Sequence, residues 1–182
     1  MKYIMGLLLL SLAVTGTAQQ NTSDSCRYTK VDGGYLLVLR KGDSVIRELE
    51  KMVQQEMLQS GNFSGLGFLS AVRFGYFNPA TKTYEPKDFT NVELAGLTGS
   101  IAWEENEVSL HLHGVVGDRQ METHSGHILS AVVGTGSVEI FINFNTQPLS
   151  RKTDPATGAK VLQVNCPAKK VQVAPFQPAG NQ

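Results

Sequence analysis

Val108-Ser109-Leu110-His111-Leu112-His113-Gly114-Val115-Val116 is the stretch that decides the fold. Its leucines and its histidines alternate. A β-strand sends successive side chains to opposite faces. The pattern therefore predicts a half-buried strand over residues 108–116, with Leu110 and Leu112 directed into a core. His111 and His113 are then side by side on the other face.

A second histidine-rich stretch follows, Thr123-His124-Ser125-Gly126-His127, so that all 4 histidines lie between positions 111 and 127. If the chain brings His127 back beside the strand at residues 108–116, three imidazoles share one face. Zinc is held by such a set when one coordination position stays open, and neutral imidazole is the commonest metal ligand. The cluster therefore predicts a metal site. The alternative is that the histidines only decorate the polar side of a strand.

Composition points to a sheet-rich domain and away from a polyanionic partner. The chain has 182 residues, enough for one domain with flanking segments, and its 18 glycines are frequent for that length. The apolar periodicity of a helix occurs in one segment, residues 45–57. Lys plus Arg and Asp plus Glu number 16 each, for a formal net charge of +0. A basic excess able to hold a nucleic acid is therefore missing.

The first residues have the order of an export signal. A positive start, Met1-Lys2, precedes an apolar run and then the small residues Gly16-Thr17-Ala18. We expect cleavage after Ala18 and a periplasmic or secreted protein; the alternative is a buried N-terminal strand or helix. Export would permit a disulfide between Cys26 and Cys166, because oxidising compartments stabilise such bonds. The alternative is two unpaired thiols.

One helix is predicted after a first strand at residues 35–39. Apolar residues recur at three- and four-residue steps from Val45 to Met57, which is typical of an amphipathic helix. Asp43 is placed to cap its start, and Gly61 to end it. The later segments at residues 65–77, 83–85, 92–103, 127–133 and 138–144 carry the residue types and turn signals of strands.

Taken together, several motifs resemble the plant-and-prokaryote conserved (PPC) domain, which occurs in plant AT-hook nuclear proteins and in stand-alone bacterial and archaeal proteins. The resemblance covers about residues 33–163. It is carried by Gly42-Asp43, Gly67-x-Leu69-Ser70, Gly75-Tyr76-Phe77, Thr81-Lys82-x-Tyr84, Glu93-x-x-x-Leu97-Thr98-Gly99, His111-Leu112-His113, Gly126-His127-Ile128, Leu149-x-Arg151 and Asp154-x-x-x-Gly158.

The resemblance implies an α/β (α+β) fold, with a mixed, mainly antiparallel sheet of about seven strands flanked by helices, and a homotrimer. The expected organisation is a signal peptide at 1–18, a loose segment at 19–32, the PPC-like domain at 33–163 and a proline-rich, disordered tail at 164–182. The resemblance also implies zinc binding by His111, His113 and His127, although another divalent transition metal would suit the same ligands. His124 matches no family histidine and is either an extra ligand or a solvated bystander.

Three functions compete on this basis. In a metal-dependent enzyme, Glu93 is the candidate proton carrier and Asp118 a weaker one; the alternative for Glu93 is an orienting or surface carboxylate. In a binding module, the metal anchors an unknown small molecule or protein partner. DNA binding is the family label, but the family's AT-hook is missing from this sequence and the charge is balanced.

Overall fold

A six-stranded sheet with one helix packed on it organises residues 26–164, the part of the chain that the computed structural model describes. A two-stranded sheet is added near the end. In chain order the elements are β1 (Tyr28–Val31), β2 (Gly34–Arg40), α1 (Val45–Gln55), β3 (Ser60–Asn78), β4 (Thr83–Glu104), β5 (Glu107–Gly117), β6 (Thr123–Asn145), β7 (Arg151–Thr153) and β8 (Lys160–Leu162).

The large sheet has the order β1-β2-β6-β3-β4-β5, with a further pairing between β6 and β5. This extra pairing joins β6, β3, β4 and β5 into a closed ring of strands, and every ladder in it is antiparallel. The predicted α+β fold with a mainly antiparallel sheet is therefore confirmed. Within residues 26–164 the sheet is accompanied by the single helix α1, whereas the resemblance implied several helices.

Strands β3, β4 and β6 are longer than the sequence pattern predicts. β3 has 19 residues, β4 has 22 and β6 has 23. Alternation is broken along them by β-bulges, including one between Gly65 and Gly67 and one between Leu94 and Gly96. A bulge adds a residue and bends the strand without ending it. The interrupted alternation therefore predicts two short strands where the structure has one continuous strand.

One cluster of buried apolar side chains, contributed mainly by α1 and by the strands of the large sheet, forms the core. On β5, Leu112 is 3% exposed while His111 and His113 are exposed, so the predicted alternation of this strand is confirmed. Burial of this apolar set, at roughly 25 cal/mol per Å², is the main force that holds the sheet closed. The largest fully buried side chains are Phe63, Leu37, Leu39, Leu49, Met52, Leu69, Ile101, Ile128, Ile140, Ile142, Val45 and Val53.

The predicted helix forms, but both of its expected end signals are wrong. The N-cap is Ser44, and Asp43 instead accepts hydrogen bonds from the Arg27 side chain at 2.7 Å and the Arg40 backbone N–H at 2.8 Å. α1 ends at Gln55, and Met57 takes the left-handed conformation (φ 50°) just beyond it. The side chain of Asp43 is therefore used to fasten the segment before β1.

Residues 28–31, which were expected to be loose, form β1. The hydroxyls of Tyr28 and Tyr35 donate to the two carboxylate oxygens of Glu56 at 2.7 and 2.6 Å. The bond to Glu56 raises the pKa of Tyr28 to about 12, because loss of the hydroxyl proton would break this bond and place a phenolate beside the carboxylate. A contact that spans from β1 to the end of α1 thus recruits a polar segment into the sheet.

The expected signal peptide at 1–18, the disulfide partner Cys166 and all but the first residue of the expected tail lie outside the described residues, and they stay predictions. Within residues 26–164, no helix is both long and apolar enough to cross a bilayer.

Gly99 on β4 provides a test of the packing beside the histidine strand. A Cβ at this position would overlap the ring of Phe63 and lie 2.6 Å from the carbonyl oxygen of His111. We expect Gly99→Ala to lower the free energy of unfolding by about 1–3 kcal/mol, the cost typical of overpacking. Urea unfolding measures this change.

Gly96→Ala is the matched control, because a Cβ at Gly96, on the same strand, meets no atom within 4 Å. Its expected effect is within about 0.5 kcal/mol. Equal effects of the two substitutions would contradict the packing described here.

Candidate metal centre

Three imidazoles meet at the junction of β5 and β6. His113 is paired directly with His127 across the two strands, and His111 lies two residues earlier on the same face of β5. Directly opposed residues of an antiparallel pair have Cβ atoms about 4.5–5.5 Å apart, and diagonal neighbours also come within reach. The strand register therefore brings together the three histidines that the sequence predicts as ligands.

The rings form a nearly equilateral group. Their centroids are 5.2 Å apart for His111 and His113, and 5.3 Å apart for each of the other two pairs. Nε2 of His111 and Nε2 of His113 are separated by 3.2 Å. One ring nitrogen from each histidine lies within 4.8 Å of the others. Tetrahedral ligands of zinc, with Zn–N bonds near 2 Å, are about 3.3 Å apart.

The protonation and hydrogen bonding of this group fit a metal. Burial, together with the charges of the neighbouring imidazoles His111 and His113, lowers the pKa of His127 to about 4. His111 keeps exposed surface, but its partial desolvation, followed by the charges of His113 and Arg151, also lowers its pKa. Neutral rings are the form that binds metal. Among residues 26–164, Nδ1 of His127 is buried and has no hydrogen-bond partner.

Neighbouring side chains hold the triad in place. The ring of Tyr84 stacks on His127 with centroids 4.8 Å apart. This stacking needs Gly75, because a Cβ there would lie 2.8 Å from Tyr84 Cδ1. Arg151 is 3% exposed and donates to the backbone oxygen of Ser109 and to Ser100 Oγ. It thereby ties β7 to the two strands that meet at His111.

His124 lies outside this triad. Its Nε2 is 3.1 Å from Asp118 Oδ2, and its ring stacks on Phe89. Asp118 Oδ1 also accepts the backbone N–H groups of Gln120 and Glu122, both at 2.9 Å. The carboxylate therefore closes the turn between β5 and β6. His124 therefore lies beside this turn and is not a fourth member of the triad. Asp118, Glu122 and His124 form a second group with metal-ligand spacing.

Glu93 also lies away from the triad. It is exposed and paired with Gly117, which is four residues along β5 from His113. At about 3.3 Å per residue the separation is roughly 13 Å. A general base must lie within hydrogen-bond reach of the proton that it moves. The structure therefore does not bring the expected proton carrier to the three histidines of the same chain.

Tyr84 and Arg151 lie beside the triad, and sequence reasoning assigned no role to either of them. Both belong to motifs that carry the family resemblance, Thr81-Lys82-x-Tyr84 and Leu149-x-Arg151. Their place in those motifs was the available signal, since they lie far from the histidines in sequence and their contacts depend on strand register.

Comparison with known proteins agrees with the fold and the motifs. The family model of the Plants and Prokaryotes Conserved (PCC) domain matches residues 27–144, more than half of the chain. The chain belongs to this family. The PPC resemblance seen in the sequence is therefore confirmed, and the histidines, Glu93 and Gly99 all lie inside the matched part of this PCC-domain protein.

Similar solved structures carry two different functional names. A candidate DNA-binding protein from Ralstonia eutropha JMP134 is 42% identical, with a TM-score of 0.75, over 79% of this chain and 100% of that chain. A metal-containing protein from Archaeoglobus fulgidus is 24% identical, with a TM-score of 0.66, over 74% of this chain and 96% of that one. The second likeness shows the fold alone.

Among curated sequences, the bifunctional protein GlmU of Synechococcus sp. (strain JA-3-3Ab) is 29% identical over 148 residues. The match covers 80% of this chain, which spans only 23% of that relative's length.

The lowered pKa of His127 predicts how the metal-free protein responds to acid. The unfolded chain takes up this proton near pH 6.5, whereas the folded protein takes it up only near pH 4. Stability is therefore fully present above pH 6.5 and declines as the pH falls toward 4. His127→Gln should make this decline shallower.

Urea unfolding in the presence of a chelator, at pH 7 and at pH 4.5, measures the difference. If the variant and the wild type lose the same stability between these pH values, the loss does not come from the lowered pKa of His127.

Proposed function

We propose that this PCC-domain protein binds a divalent transition metal, with zinc preferred, through His111, His113 and His127. The observation that supports it is the group of three imidazoles with centroids 5.2–5.3 Å apart. A zinc ion held by three imidazoles keeps a coordination position for a further ligand and acts as a Lewis acid. The chain's own part is to fix three neutral rings on paired strands.

The same proposal assigns the centre to ligand binding in preference to acid–base catalysis. The pocket beside His111 and His127 is lined by lysines, an arginine and aromatic rings. These groups hold and orient a ligand, whereas Glu93, the proton carrier of the enzyme hypothesis, lies about 13 Å along the strand. A metal-dependent enzyme acting on an unidentified substrate is the alternative function of this centre.

Export and assembly are also part of the proposal. The order of charge, apolar run and small residues over 1–18 supports passage to the periplasm or the exterior. Assembly as a homotrimer is proposed from the family resemblance.

Metal analysis of the purified protein tests the centre. We expect one zinc per chain in the wild type. His111→Ala, His113→Ala and His127→Ala should each weaken zinc affinity by more than about 100-fold, because substitution of groups that merely orient a ligand already costs 10–100-fold.

His124→Ala is the matched control and should keep the wild-type zinc content, since His124 pairs with Asp118. Loss of zinc in this control, or full zinc content in the three other variants with an unchanged fold by circular dichroism, would refute the proposal.

DNA binding is the second candidate function, because the Ralstonia relative, at 42% identity, carries that name. Phosphate neutralisation by lysine and arginine supplies most of non-specific DNA affinity. A formal net charge of +0 gives this chain little of that term. The metal site is therefore the preferred function.

Retention on immobilised heparin, followed by a mobility-shift assay with duplex DNA, checks this preference. We expect elution below about 0.15 M salt and no shift at micromolar protein, because affinity falls steeply with salt when few phosphates are contacted. Retention at higher salt together with a mobility shift would favour DNA binding instead.

A further inference from the structure

A pocket of about 380 Å³ opens beside the three-histidine centre. Small-molecule sites in proteins have about 300–1,000 Å³, so this volume suits a small ligand. His111 and His127 of the triad line the pocket, together with Ser109 and Leu110 of β5. Other lining residues that bear on the ligand are Phe77, Lys82, Tyr84, Arg151 and Lys160.

Two separate motifs of the sequence meet where Lys82 lines this pocket. Lys82 follows the tip of the β3–β4 hairpin, and Gly158 precedes β8. A Cβ on Gly158 would lie 3.2 Å from Lys82 Cβ, and Lys82 Nζ donates to the carbonyl oxygen of Pro155 at 3.1 Å. The hairpin and the turn at residues 154–158 are therefore packed together, and they bring Lys82 close to the start of β8.

The charge of the lining is positive. Lys82, Lys160 and Arg151 line the pocket, and within residues 26–164 no acidic side chain is among the lining residues. Lys160 pairs with Glu104 at the margin, and Lys82 uses one of its donors on Pro155. A lysine ammonium has three donors, so both amines keep donors for a further acceptor.

The lining also has aromatic and apolar members. The rings of Phe77 and Tyr84 are in edge contact, with centroids 5.3 Å apart. Leu110 and Ala159 also line the pocket. A bare inorganic anion would leave this surface unused, whereas an organic anion covers it and gains hydrophobic free energy.

We propose that this pocket binds a small organic carboxylate beside the metal centre. Its carboxylate group lies between the amines of Lys82 and Lys160 and the imidazoles of His111 and His127, and its hydrocarbon part rests on Phe77 and Tyr84. The inference rests on the proposed function for the metal, since His111 and His127, which would hold it, also line the pocket. The contributions of Lys82, Lys160 and the rings of Phe77 and Tyr84 are independent of the metal.

Calorimetric titration of the full chain, zinc-loaded and metal-free, with three probes tests this inference. Benzoate is the organic carboxylate, benzylammonium is its charge-reversed analogue and inorganic phosphate is the bare anion. We expect benzoate to bind more tightly than phosphate and benzylammonium not to bind. Lys82→Met should weaken benzoate binding at least about fivefold, and the double variant with Lys160→Met at least about 20-fold, as for charge-assisted hydrogen bonds.

Lys152→Met is the matched control, because Lys152 is exposed on β7 and is not among the lining residues. It should leave benzoate affinity within about twofold. Equal weakening by Lys152→Met and Lys82→Met, or binding of benzylammonium as tight as that of benzoate, would overturn the inference. Tighter binding of phosphate than of benzoate would overturn the assignment to an organic carboxylate.

The two proposals fail in distinguishable ways. Zinc binding with benzoate affinity that is insensitive to the lysine variants overturns this inference alone. Lysine-dependent benzoate binding in a protein that does not take up zinc supports the pocket and overturns the proposed metal function.

Discussion

Pairing of β5 with the first residues of β6 is the contact on which the rest of the structure depends. β6 is long enough to pair with β5 near its start and with β2 and β3 further along, so one strand closes the ring. Without this contact β5 would be an exposed edge, which is a liability in a sheet protein. The same ladder sets His113 opposite His127. The strand pairing that closes the ring therefore also brings the histidines of the candidate centre together.

Unfavourable burial of polar groups is concentrated at the three histidines, where β5 pairs with β6. Burial disfavours the charged form of His111 and His127, and three imidazoles at close range disfavour it again. Nδ1 of His127 is buried without a hydrogen-bond partner in the described part of the chain, an arrangement that costs free energy in a merely structural site. A cation bound by the three rings would offset these costs. For this reason we propose a metal site in preference to histidines that only occupy the polar face of a strand.

The surroundings of the triad come from parts of the chain that are distant in sequence. Tyr84 on the β3–β4 hairpin stacks on His127, and Arg151 on β7 ties the strands beside His111. The 154–158 turn then supports Lys82 at the pocket margin. Each of these groups belongs to a motif that carries the family resemblance, and their common purpose becomes visible only where the folded chain brings them together.

The sequence by itself determined the histidine strand, because period-two alternation reports directly which face of a strand is buried. The clustering of the histidines indicated the three candidate ligands, and the family motifs implied the α+β class. The sequence did not determine the lengths of β3, β4 and β6, since bulges interrupt the alternation, nor the role of Asp43, since its partner Arg27 precedes the predicted domain. Only the tertiary structure decided that Glu93 and His124 lie away from the triad while Tyr84, Lys82 and Arg151 lie beside it. Their positions depend on the register between strands, and that register is fixed only when the apolar faces of strands that are distant in sequence are buried together.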